Sequence, residues 1–222
     1  MTGGWLAIFR KDAMIEFRTR FGISALVMFL LITVSIILFS VPGEQLSSSL
    51  LSAFFWIALF FGAMTGLSRS FVSEEERGTS LLLRLYASGE SVFVGKLVFN
   101  VLLMLLLGTA GVAFFLLFFK DMVVRDWVFF TIQLVLGLIG VAAVSTVLSA
   151  LIGRASQKGA LLPILALPIL MPLVIATTDA MRITLEVSNA WDGTRGDILI
   201  LFSFDVAMVL VSYVLFDIVW RD

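Results

Sequence analysis

Six apolar stretches divide this chain, near 21–41, 50–71, 97–119, 128–152, 160–178 and 198–220. Each is long enough to cross a hydrocarbon core of about 30 Å, which takes roughly 20 residues of helix. Lipid offers a bare backbone no hydrogen-bond partners, so only helices or closed barrels can span it. Every run here is continuously apolar, whereas barrel strands alternate and are about half as long. Composition agrees: with 60% hydrophobic and 14% charged residues, the chain has too little polar surface to coat a soluble globule. The sequence therefore predicts an all-α polytopic membrane protein, one transmembrane domain over residues 1–222.

Orientation follows from the basic flanks, because cytoplasmic loops retain Lys and Arg during insertion. With the N-terminus inside, Arg10, Lys11, Arg18, Arg20, Arg69, Arg77, Arg84, Lys96, Arg154, Lys158 and Arg221 are cytoplasmic. Only Lys120, Arg125, Arg182 and Arg195 fall on the other side. Both termini are thus expected in the cytoplasm. The first apolar run starts after a stretch carrying four basic and two acidic residues, unlike a cleavable signal peptide. Residues 4–19 read as an interfacial helix, with Leu6, Phe9, Ala13 and Phe17 on one face, Arg10, Lys11 and Arg18 beyond its edge, and Ile8 and Ile15 elsewhere. The simpler alternative is a basic flank that only sets topology.

The polar segment 73–90, after the second span, carries the most information about function. Thr79 suits an N-cap and Gly78 a sharp entry before it. A short helix is expected over 80–87, with Gly89 as its stop. Leu81, Leu82, Leu83 and Leu85 cover more than one face of two turns. That is too apolar for a solvated loop and too short to span, so burial against a partner or the bilayer is expected.

Glu76-Arg77-Gly78-Thr79, the Leu-rich turn, Ser88 and Gly95-Lys96 together resemble the cytoplasmic signature of ABC-2-type membrane permeases. In that family the segment after the second span forms a coupling helix that inserts into an ATP-binding subunit. The resemblance implies that Glu75, Glu76, Arg77, Gly78 and Thr79 shape this contact, with Leu82, Leu83 and Leu85 as apolar anchors. A loop that merely joins two spans is the bland alternative. The fifth span, with Pro168 and Pro172, narrows the resemblance to the haem exporter protein B permeases of cytochrome c maturation. Such a permease would sit in the bacterial inner membrane. Its implied partners are an ATP-binding cassette subunit, a haem-handling membrane subunit and a second copy of the chain, with no nucleic acid.

Pro168 and Pro172 each remove an amide donor, leaving the carbonyls of Ile164 and Pro168 to be satisfied by neighbours or water. A bend inside a protein interface is therefore expected, whether for gating or for packing, and Pro163 falls in the first turn, where it costs little. Asp205 lies about 10 Å into the sixth span and is the clearest intramembrane polar candidate, either on a transport path or at a helix contact. Asn100, Gln133, Ser145 and Thr146 are candidates for bonds between helices, and Gly62 with Gly66 allows close helix approach. Residues 179–197 read as a surface connection.

The chain has no Cys and no His, so disulfides, thiolate sites and two common haem-iron ligands are absent. No Gly-rich loop ending in Gly-Lys-Ser/Thr is present, and Gly95-Lys96 runs straight into a span. No cofactor is therefore expected on this chain, and the resemblance implies a non-catalytic subunit, with ATP hydrolysed on a partner and haem as cargo. The alternatives are an ABC-2-type permease for another lipophilic substrate, or an ATP-independent channel or secondary transporter.

Overall fold

The computed structural model describes residues 4–41, 45–67, 78, 83, 87–152 and 158–221, and the side chains of all of these except 21, 158–160 and 217–221. Among the described residues seven helices run in order: α1 (Gly4–Thr19), α2 (Phe21–Ser40), α3 (Ser48–Leu67), α4 (Gly89–Phe118), α5 (Trp127–Ile152), α6 (Lys158–Glu186) and α7 (Trp191–Arg221). No strand occurs among them. The six from α2 onward are long and apolar enough to cross a membrane, and the chain is a multi-pass membrane protein.

α5 forms the centre of the bundle. It packs on α3, α4, α6 and α7, and 72% of its apolar window is buried, against 17% for α2 and for α7. Its lack of any charged residue suits that position. Rings from α3 and α4 fill the adjoining core, Phe55 meeting Phe115 edge-on at 5.2 Å. Gly62 and Gly66 serve this internal packing: a Cβ on Gly66 would strike the Leu26 side chain of α2, and one on Gly62 would touch Leu107 of α4.

Several helices overrun the apolar stretches that foretold them. α4 starts at Gly89 rather than near 97, so Gly89 opens a helix instead of stopping one. Ser88 is its extended N-cap, and Glu90 in the first turn complements the helix dipole. The expected surface connection 179–197 is mostly helix, because α6 runs to Glu186 and α7 begins at Trp191. Hydropathy marks what lies in hydrocarbon, but backbone bonding continues wherever polar side chains find local partners. Arg182 shows this, reaching Asp179 at 2.6 Å and Glu186 at 3.0 Å along α6.

One end of the bundle is stapled by Asp126, buried at the start of α5. Its Oδ1 accepts from the amides of Val128 and Phe129, each at 3.2 Å, and its Oδ2 from that of Ala190 at 3.0 Å. A single carboxylate thus caps α5 and binds Ala190, the residue just before α7. The Thr184 carbonyl accepts from the Arg125 and Asp126 amides, and Asp121 accepts from Leu46, tying in the α2–α3 connection.

Candidate functional site

At the opposite end α1 lies against the first turns of α4. Gly95 makes this possible: a Cβ there would stand 2.7 Å from the Trp5 carbonyl oxygen and 2.9 Å from Ile8 Cβ. Ile8 is buried on that surface, and the rings of Phe9 and Phe99 meet at 6.4 Å. One turn on, Lys96 Nζ donates to Asp12 Oδ2 at 3.3 Å, its side chain 1% exposed, and Lys11 reaches the other Asp12 oxygen at 3.2 Å. Lys96 belongs by sequence to the basic flank of the third span, but the earlier start of α4 carries it into the interior.

The docked face of α1 differs from the apolar face read from the sequence. Phe9 and Ala13 do pack inward, but Leu6 and Phe17 are exposed and Ile8 is buried. Fit against Gly95 selects Ile8, because only there can the two backbones approach closely. After α1, Arg20 turns the chain with φ 52, and Glu16 Oε1 accepts from the Ile23 amide at 2.7 Å, supplying a cap to α2.

Of the polar segment, Leu83 and Ala87 lie at this same end. Gly78 has φ 68, the left-handed region that glycine tolerates without strain. Leu83 is half-buried, and the Ala87 amide donates to its carbonyl at 2.9 Å, a bond of helical spacing. Leu83 and Ala87 pack on a cluster of Ile8 from α1, Val92 and Phe93 from α4 and Phe216 from α7, with Ala150 of α5 beside it. Phe93 and Phe216 meet at 5.4 Å. Leu83, Ala87, α1 and the end of α7 therefore share one junction. Glu75, Glu76, Arg77, Thr79, Leu82 and Leu85 lie outside the described residues.

The proline-bearing helix is placed differently from expectation. α6 contains Pro163, Pro168 and Pro172 within one helix. Because α6 begins at Lys158, Pro163 falls beyond the first turn and withdraws the donor due to the Gly159 carbonyl. Leu162, Ala166, Leu170, Leu173 and Thr177 make the buried face, whereas Pro168 and Pro172 are exposed on the outer face, not in an interface within this chain. A period of 3.6 residues separates the two sets by about half a turn.

Asp205 lies apart from the junction, eleven residues before Phe216, or about 16 Å along α7. It is buried against α5 where Gly140 leaves room: a Cβ on Gly140 would meet Asp205 Oδ1 at 2.6 Å and collide with the Leu173 side chain of α6. Neither carboxyl oxygen accepts a hydrogen bond from the described residues. Between α4 and α5, Asn100 Nδ2 donates to Thr146 Oγ1 at 2.8 Å, and Thr146 donates to the Ala142 carbonyl. Gln133 and Ser145, also expected to bond between helices, are buried with no hydrogen-bond partner for their side chains among the described residues. Among the described residues no group of three His, Cys, Asp or Glu converges.

The sequence reading did not find Asp12, Gly95 as an α1 seat, Gly140 or Asp126. Only Gly95-Lys96 carried a visible signal, as the end of the permease signature, and nothing in it indicated α1. A family model described as CcmB protein matches residues 4–217, nearly the whole chain. No curated protein matches it.

Proposed function

The chain belongs to the CcmB protein family, the haem exporter B proteins, and from that membership we propose that it is the membrane permease of an ATP-driven complex that handles haem for cytochrome c maturation. The match over residues 4–217 carries this reading. Hydrolysis belongs to a separate ATP-binding cassette subunit, since the sequence has no phosphate-cradling loop. A haem-handling membrane subunit supplies the His or Cys iron ligand that this chain does not contain, and a second copy completes the permease. The inner membrane is its place, with both termini in the cytoplasm.

The junction supports a mechanical role for segment 73–90. Leu83 and Ala87 sit on residues from α1, α4 and α7 together, so a push on the segment by a closing ATPase reaches three helices through one apolar contact. Glu75, Glu76, Arg77, Gly78 and Thr79 shape the ATPase contact in this reading, and Leu82, Leu83 and Leu85 anchor it. Haem is cargo, and α6 with its outward Pro168 and Pro172 offers a bendable wall.

Affinity purification of the tagged chain from its native membrane, beside Leu82→Asp, tests the proposal. Mass spectrometry should find an ATP-binding subunit with the wild type and not with the variant, and absorbance should find a haem-containing partner. Purification without any ATPase in either sample would favour a channel or secondary transporter.

A further inference from the structure

The docking of α1 sorts its charges by side. Asp12 faces α4 and accepts from Lys96, and Glu16 faces the start of α2 and accepts from Ile23, so both acids of α1 are used internally. Helical spacing puts Leu6, Ala7, Arg10, Met14, Phe17 and Arg18 on the opposite side. All six are exposed, Met14 at 66% and Phe17 at 69%. Arg10, Arg18 and Arg20 form no ion pair among the described residues. The outward face of α1 is therefore apolar and purely cationic. It joins α2, a membrane span, through the single residue Arg20.

We infer that this face binds the surface of an anionic phospholipid leaflet, with Leu6, Met14 and Phe17 in the acyl boundary and Arg10, Arg18 and Arg20 on the headgroup phosphates. A soluble acidic partner would satisfy the arginines but leave large apolar side chains in water. Lipid meets both needs, and the adjoining span holds the face at the depth where headgroups lie. Docking onto α4 is what turns the acids away; an undocked α1 would present Asp12 and Glu16 to the same phosphates and lose the selectivity.

The chain has no native cysteine, so a single Ala7→Cys reports on this face alone. The intact protein would be placed in nanodiscs of phosphatidylcholine, with and without phosphatidylglycerol, and treated with an uncharged, membrane-impermeant maleimide. Asp192→Cys, at the far end, would serve as the control for bulk reactivity. Modification at position 7 should slow at least about fivefold when phosphatidylglycerol is present. Adding Arg10→Gln, Arg18→Gln and Arg20→Gln should abolish that difference, and Met14→Ser with Phe17→Ser should speed modification in both lipids. Equal, fast modification of Ala7→Cys in both lipids would overturn the inference and mark the face as water-exposed, free for a protein partner. A lipid difference that survives loss of the three arginines would also overturn it. Neither readout depends on haem or ATP, so the outcome stands apart from that of the transport reading.

Discussion

Gly95→Ala tests whether α1 is seated by close backbone approach. The added Cβ would lie 2.7 Å from the Trp5 carbonyl, where ordinary contact begins at 3.4 Å. The obstacle is backbone, which no rotamer change relieves, so α1 must withdraw by about 0.7 Å, an overpacking cost of about 1–3 kcal/mol. That corresponds to about a 5- to 150-fold loss in the equilibrium for docking. Withdrawal also lengthens the Lys96–Asp12 pair from 3.3 Å and opens a buried ammonium to water. A disulfide reads out the docked state. A Cβ on Gly4 stands 3.2 Å from Ser91 Cβ, near the span of about 3.5–4.5 Å that disulfides adopt, and no native cysteine competes. In a Gly4→Cys, Ser91→Cys background, oxidation should link α1 to α4 rapidly, and Gly95→Ala should slow the linkage several-fold. Gly95→Val should slow it further. Unchanged linkage rates in both variants, with unchanged thermal midpoints in detergent, would refute the seat.

Two further perturbations probe the rest of the bundle. Asp126→Ala strips a shared cap from α5 and α7, so a loss of about 2 kcal/mol is expected, seen as faster amide hydrogen exchange at 127–130 and 187–194; Asp126→Asn should retain part of the protection. Gly140→Leu drives a side chain into Leu173 and Asp205, and should lower the thermal midpoint far more than Asp205→Asn, which keeps the shape of the contact.

Much of this protein was legible before any coordinates. Hydropathy alone specifies six spans, because lipid leaves the backbone no other satisfied arrangement, and the motif around Gly78 with the proline-bearing span pointed to the family that the match confirms. Which apolar residues face inward was not legible, since each span is apolar all round and carries almost no amphipathic bias. Pro168 and Pro172 illustrate this: their spacing could be read, but their side of α6 depended on where α3, α5 and α7 lie. Asp205 was visible as a charge in a span, whereas its contact with Gly140 required two helices distant in sequence to meet.

The N-terminal helix shows the division most plainly. Its helicity and its mix of apolar and basic residues belong to local sequence. Which face docks does not, for Ile8 is buried and Phe17 exposed because Gly95, on another helix, lacks a side chain. Periodicity records one helix's composition, but burial is decided between helices, and the backbone approach that decides it here is a property of the packed bundle.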